Sequence, residues 1–588
     1  MYMGKIGNDF IEYLNSMNNA NSSNKNALAE SQVLSKYYDK IKIDRKLGEV
    51  LYERLFNENA KAVILTGHAG DGKTSILIQI LNQLGYFDSG KKSLSESELY
   101  NNKLFYVKDM SELNEEKQKE MLKKFLKYPN KGVSSLLISN TGPLINTFDN
   151  IMDEVDSETL EVNILNELDN NSLNPIKVNI DDEECSFIAV NMANIDNTYL
   201  VKEILYNLLQ SELWEKCKNC EVKTKCPIAF NYYTCSENLD RITVILEQIY
   251  VWFKENESRL TIRQMLSHLS FALTGNLSCE EINKSIIYKN DAVFDYAFPN
   301  LLFGYKGVKR INESLNIKAI KELNKVAMDE NALFADYQLF VREDFDMFDE
   351  KIKFVLEEQL KSHQSDLGIN SENATKLRRS LRRFYILFSK LDDVEFEKLK
   401  NEVFSEAFNT YYKLRKKSKI SNKEKARLED IVFEGLYKTF VGVYPKNQEN
   451  LYLTVKKELD DIQNVQLILG EVPKDDINIK NELKYSPFKE NTEQYEIKIK
   501  FKMCKSLVSL TYQMYQYFMR ISEGEVFTSL NPSFTFGLNN LKAKLLKNYR
   551  NNKEDECENN PKIKLLVIKK DSVDKINFII EDDEMEIR

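Results

Sequence analysis

The segment that most constrains this chain is Ala62-Val63-Ile64-Leu65-Thr66-Gly67-His68-Ala69-Gly70-Asp71-Gly72-Lys73-Thr74-Ser75, an apolar strand running straight into the pattern G-x-x-x-x-G-K-T. Gly67, Gly70 and Gly72 permit a tight turn whose backbone N–H groups face inward, and a helix beginning near Lys73 adds the positive end of its dipole. The segment therefore predicts a phosphate-binding loop formed by Gly67, His68, Ala69, Gly70, Asp71, Gly72, Lys73, Thr74 and Ser75. In that reading Lys73 reaches the β- and γ-phosphates of ATP and the Thr74 hydroxyl serves Mg2+. A chance glycine-rich turn is the other reading. The strand before the loop and the helical run Ser75 to Leu84 after it argue for the first.

The surrounding pattern predicts an α/β core. Apolar runs at Val63 to Leu65, Leu104 to Val107, Leu136 to Ile138 and Phe187 to Val190 alternate with helical patterns, which implies a parallel sheet covered on both faces with ligands at the carboxyl ends of its strands. Five regions are expected: a helical segment 1–60, a nucleotide-binding core 61–240 carrying a four-cysteine insertion at 214–236, a helical lid 241–330, a helical domain 331–445, and an α+β region 446–588. The fold class is thus an α/β P-loop NTPase core of the AAA or STAND type with that four-cysteine insertion, followed by an α-helical and then an α+β region. The polar run Asn551 to Asn560 reads as an exposed loop before a final strand pair.

Composition narrows the class of partners. Hydrophobic residues make up 42 % of the chain and charged residues 29 %, as in folded proteins of ordinary solubility. The formal net charge of −9 argues against a surface coated in positive charge for non-specific nucleic-acid binding, although a local basic groove is compatible with it. No secretion signal and no apolar run long enough for a membrane span is evident, so a cytoplasmic location is expected.

Several residues are candidates for chemistry on a bound nucleotide. The strand ending at Val107 leads to Asp109, with Glu112 three residues on, and either acid suits the Mg2+ shell or the attacking water. Asp-Met-Ser-Glu is equally a helix-capping sequence. If this strand is the second rather than the third of the sheet, it lies away from the loop. Asn140, after the strand Ser135 to Ser139, suits a γ-phosphate sensor or an ordinary turn. Asn191 and Asn194, after Phe187 to Val190, invite the same two readings. Arg259 and Arg263, in Ser258-Arg259-Leu260-Thr261-Ile262-Arg263, are placed by chain order to bring positive charge to the γ-phosphate.

Cys217, Cys220, Cys226 and Cys235 are spaced C-x2-C-x5-C-x8-C and account for half of the eight cysteines. Such clustering favours metal over disulfides, with a closed structural Zn2+ site preferred and an iron–sulfur cluster the alternative. Arg378, Arg379, Arg382 and Arg383 form one basic run and Lys413, Arg415, Lys416, Lys417 and Lys419 another. They read as solvated or salt-bridged faces in preference to a grip on a phosphate backbone.

The loop, the motif Val107-Lys108-Asp109-Met110-Ser111-Glu112, the strand end Ile138-Ser139-Asn140-Thr141-Gly142, the cysteine insertion and Leu260-Thr261-Ile262-Arg263-Gln264-Met265-Leu266-Ser267, taken in this order over residues 30 to 330, resemble the DptF (DndF) family. That family is the P-loop ATPase-like component of bacterial DNA phosphorothioation-dependent restriction systems. The resemblance implies ATP binding at Gly67 to Ser75, a metal or water role for Asp109, and metal ligation by Cys217, Cys220, Cys226 and Cys235. It also implies action with partner restriction proteins against DNA lacking the sulfur modification, with DNA met directly or through those partners, and leaves self-association open. The alternatives are a nucleotide-binding scaffold or switch, or a signalling NTPase of another antiphage system.

Overall fold

The computed structural model describes residues 7–18, 35–57, 61–87, 93–152, 154–286, 292–363, 372–445, 447–455, 463–483, 488, 494–502, 507–525, 532–553, 562–569, 572–581 and 584–587. Two compact units emerge, Met1–Val403 with Ser486–Asn491, and Phe404–Tyr485 with Thr492–Arg588. Their boundary falls inside the stretch 331–445 that the sequence reads as one helical domain. Residues 19–34 of the expected N-terminal helical segment and 554–560 of the expected polar loop lie outside the described residues; 551–553 end a helix.

In the first unit, β1 (Ala62–Thr66), β2 (Ser97–Tyr100), β3 (Leu104–Val107), β4 (Ser134–Ile138), β5 (Ile176–Ile180) and β6 (Glu183–Asn191) form one sheet in the order β2-β3-β4-β1-β6-β5. β3, β4, β1 and β6 run parallel, so their carboxyl ends share one edge, and antiparallel β2 and β5 close the sides. β3 is the third strand in chain order, and β4 stands between it and β1.

Period-two alternation sends the β1 side chains to two cores. Val63 and Leu65 pack with Leu47 and Leu51 of α2 (Lys46–Phe56) and with Ile76 and Ile80 of α3 (Lys73–Gln83). That first core follows α1 (Asp9–Met17) in the chain. Ala62 and Ile64 pack with Leu122 and Phe125 of α4 (Glu115–Lys127), Phe148 of α5 (Thr141–Asp149) and Ile164 of α6 (Glu154–Asn170). Helices on both faces explain why every residue of β1, β3 and β4 is buried.

The chain then becomes helical through α7 (Val201–Leu208), α8 (Pro227–Glu237), α9 (Leu239–Glu255), α10 (Ile262–Thr274), α11 (Lys318–Val326), α12 (Glu350–His363) and α13 (Glu372–Phe388). Thr261 and Gln264 form a reciprocal capping box at the start of α10, and Gly275, at φ +60°, ends it. The basic run on α13 is ion-paired: Arg379 and Arg383 both reach Asp329, and Arg382 meets Asp336. This matches the preferred sequence reading of that run.

The second unit is α+β. Antiparallel strands form a five-stranded and a three-stranded sheet, and a 20-residue helix, Asn422–Val441, packs on strands of both. Gly435 lets that helix meet Phe518 of the helix Tyr512–Ser522 with no side chain between them. Among the described residues no helix is long and apolar enough to cross a membrane.

His268 lies fully buried on α10 between the Tyr250 hydroxyl, 2.9 Å from Nδ1, and the Leu302 carbonyl, 2.9 Å from Nε2. A neutral ring donating from Nε2 and accepting at Nδ1 satisfies both contacts. Burial pushes its pKa down from 6.5 to about 4. A depressed folded pKa means stability that is complete above pH 6.5 and lost as pH falls toward 4. Acid unfolding of the first unit should therefore carry a contribution of about 3 kcal/mol across that window. His268→Gln should flatten the pH dependence between pH 4 and 6.5, measured as denaturation midpoints at each pH.

Candidate functional site

The loop from Gly67 to Gly72 leaves the carboxyl end of β1 and enters α3 at Lys73. Gly67, Gly70 and Gly72 take φ of +138°, +89° and +94°, a left-handed region that side chains disfavour. Gly70 is constrained from outside as well: a Cβ there would stand 3.0 Å from Thr261 Oγ1 and 3.1 Å from Arg263 Cβ. The first turn of α10 thus rests directly on the loop, and the Arg263 amide donates to the Gly70 carbonyl at 3.4 Å.

Lys73 is almost fully buried, and its Nζ donates to the carbonyls of Gly67 (2.6 Å) and His68 (3.2 Å). Burial lowers its pKa, with the nearby Asp109 and Asp71 carboxylates acting in the opposite sense.

Asp71 points into the protein and has no exposed surface. It accepts from the His68 amide at 2.9 Å and from Arg259 Nη1 at 2.8 Å. The other arm of Arg259 donates to the carbonyls of Met192 (3.1 Å) and Ile195 (2.9 Å), just past β6, while its own carbonyl accepts from Lys318 of α11. The two arginines considered for the γ-phosphate are therefore separated by the fold. Arg259 is bound behind the loop by Asp71, and Arg263 lines the open side, its pKa lowered by burial.

A cavity of about 330 Å³ opens at the carboxyl edge of the sheet. His68, Ala69, Gly70, Gly72, Lys73, Thr74 and Ser75 form its floor, Lys108, Asp109 and Glu112 one wall, and Ile262, Arg263 and Leu266 of α10 another. The remaining wall is the segment Tyr38 to Arg45, in which sequence reading finds no chemistry. Tyr38 is half-buried in this wall, and burial raises the pKa of its hydroxyl. A mixed run of Tyr38, Ile41 and Ile43 with Lys42 and Asp44 just upstream of the loop is the signal available for it.

Asp109 caps the turn, as one of its two sequence readings has it, and also faces the cavity. Its Oδ1 accepts from the Ser111 amide at 3.0 Å, capping the turn Met110–Glu112, while the residue lines the cavity that holds Lys73. Ser111, unremarked in the sequence, ties this turn to β4: its Oγ accepts from the Asn140 amide at 2.7 Å and lies 3.3 Å from Ser139 Oγ. Asn140 itself is exposed at the end of β4, makes no side-chain cap, and is not among the residues lining the cavity. Asn191 and Asn194 serve the turn after β6, the first accepting from the Ala193 amide and the second donating to the Leu168 carbonyl. Thr74 and Asp109 both line the cavity and carry oxygen donors, the ligand type of a hard cation such as Mg2+.

Of the four clustered cysteines, Cys217, Cys220 and Cys226 lie in the short helix Glu215–Lys218 and the turn after it, whereas Cys235 is carried up α8 and is completely buried. Among the described residues no three His, Cys, Asp or Glu side chains stand grouped to hold a metal ion. A second cavity, of about 410 Å³, is lined by Tyr305, Val308 and five basic residues, Lys309, Arg310, Lys376, Arg379 and Arg383. Its arginines are engaged, Arg379 and Arg383 by Asp329 and Arg310 by the Tyr305 hydroxyl, so the loop cavity is the better candidate.

Comparison of the chain with protein-family models, curated proteins and solved structures gives no match.

Because Asp71 is fully buried, removal of Arg259 leaves a carboxylate without its counter-charge. Arg259→Ala should destabilise the first unit by about 3–5 kcal/mol. In a double-mutant cycle with Asp71→Ala the combined loss should fall well short of the sum of the single losses. Urea unfolding of the four proteins is the measurement, and additive losses would show that the pair does not couple.

Proposed function

We propose that this chain binds a nucleoside triphosphate with Mg2+ at the Gly67–Ser75 loop and hydrolyses it. The observation that carries the reading is the gathering of Lys73, Thr74, Asp109 and Arg263 around one cavity at the carboxyl ends of parallel strands. The loop amides and the α3 N-terminus would bind the phosphates, and Lys73 would exchange its loop carbonyls for phosphate oxygens. Tyr38, Ile41 and Ile43 would cover the base. Thr74 and Asp109 are the residues that would hold Mg2+, which when bound offsets the phosphate charge. Glu112, on the same wall, would orient water, and Arg263 would meet charge that develops on the transferred group.

In this reading the fold is that of a P-loop NTPase of the AAA or STAND type. The order of motifs further supports a role as the ATPase-like component of a DNA phosphorothioation-dependent restriction complex, coupling nucleotide turnover to the work of partner proteins on unmodified DNA. The capping bond of Asp109 favours one alternative, a nucleotide-operated switch with little turnover, because a carboxylate committed to the Ser111 amide is less free to act on water.

Nucleotide binding and phosphate release by the full chain separate these readings. Lys73→Ala should abolish binding. Asp109→Ala and Glu112→Gln should keep binding while reducing turnover by at least about a hundredfold. Nucleotide binding with negligible phosphate release by the wild type would leave only the switch reading standing, and unimpaired nucleotide binding by Lys73→Ala would remove both. In cells carrying the complete restriction set, Lys73→Ala should also abolish restriction of unmodified plasmid.

A further inference from the structure

Cys226 and Cys235 cannot serve one metal ion in this fold. Cys226 is the N-cap of α8 and Cys235 lies nine residues further along the same helix. At 1.5 Å per residue that separates the two positions by about 13 Å along the axis. Two sulfurs on one Zn2+ stand at most about 4.6 Å apart, twice the bond length. Cys235 is instead fully buried in the helical packing, where burial raises its thiol pKa well above 9.0 and no other cysteine acts on it.

A different fourth cysteine stands beside the remaining three. Cys279 opens the short helix Cys279–Glu281, and its neighbour is the N-terminal segment Gly7-Asn8, which links it to Cys217. The Asn8 amide donates to Cys279 Sγ at 3.5 Å, and the Asn8 side chain donates to Cys217 Sγ at 3.4 Å. A Cβ on Gly7 would lie 3.3 Å from Cys279 Cβ, so the chain crosses directly over this cysteine. Cys217 is joined to Cys220 by one turn, through the bond from the Cys220 amide to the Cys217 carbonyl at 3.3 Å. Cys226 Sγ accepts from the Ala229 amide at 3.5 Å in the first turn of α8.

We propose that Cys217, Cys220, Cys226 and Cys279 are the four thiolate ligands of a structural Zn2+ site, with Cys235 a core residue outside it. N–H···S bonds to three of the four sulfurs supply the donors that a thiolate centre needs around it. Cys220, Cys226 and Cys279 all stand within electrostatic range of Cys217, and Cys220 and Cys279 within range of Cys226. The Lys216 ammonium, which donates to the Gly7 carbonyl at 3.3 Å, lies near Cys279 and offsets charge on the centre. The sulfurs are not grouped as a closed cage, so closure on an ion requires them to draw together. The site would fasten the entry to α1 to the first half of the cysteine insertion and to the segment that follows α10.

The test is metal content of the full chain purified with reductant and Zn2+, read by elemental analysis, for wild type, Cys279→Ser and Cys235→Ala. Wild type and Cys235→Ala should hold about one Zn2+ per chain. Cys279→Ser should lose most of it. If Cys279→Ser does not fold, Co2+-loaded Cys279→His decides: a retained ion with weakened thiolate-to-cobalt charge transfer supports the site, and an unchanged spectrum overturns it. Loss of zinc on substitution of Cys235 alone, iron with acid-labile sulfide, or no bound metal in the wild type would each overturn the proposal.

Discussion

The Arg259–Asp71 ion pair is the constraint on which the rest of the site depends. A carboxylate with no exposed surface needs a counter-charge held at hydrogen-bond distance, and Arg259 supplies it from the segment leading into α10. The same guanidinium donates with its second arm to two carbonyls past β6, and Lys318 reaches its backbone from α11. This one residue, by its side chain and its carbonyl, thereby ties the loop, the end of β6, the entry to α10 and α11 into one frame. Rigid placement of Lys73 and Arg263 across the cavity follows from that frame, because neither is held by a partner as deeply buried.

What the sequence makes legible is what is local. Gly67, Gly70, Gly72 and Lys73 form a contiguous motif, and their backbone angles and the helix start are written in adjacent residues. The strands ending before Asp109 and Asn140 are legible for the same reason, through short apolar runs. The role of Arg259 is not, because its partner Asp71 lies 188 residues earlier and nothing in either neighbourhood announces the pair. Tyr38 to Arg45 escapes notice since aromatic and aliphatic residues that wall a cavity look like any other core residues.

The cysteines show the same limit from the other side. Regular spacing draws Cys217, Cys220, Cys226 and Cys235 together on paper, yet a helix that starts at Pro227 carries the last of them away from the others. Spacing counts residues, whereas ligation counts ångströms, and the conversion depends on the secondary structure between. Arg379, Arg382 and Arg383 are a further case. Their charge is visible in the sequence, but the acidic residues that neutralise it, Asp329 and Asp336, are brought up by the fold.

Lys73 illustrates how the loop handles its own positive charge. Its ammonium already donates to the carbonyls of Gly67 and His68. Any anion that recruits this lysine gains only the difference between the new contacts and the two surrendered. Capture is therefore an exchange of partners, and a small monovalent anion brings too few contacts to drive it. A ligand presenting several charged oxygens to the lysine and the loop amides together can displace the carbonyls. If the loop binds phosphate as proposed, its own backbone would set a threshold that the ordinary salts around it do not reach.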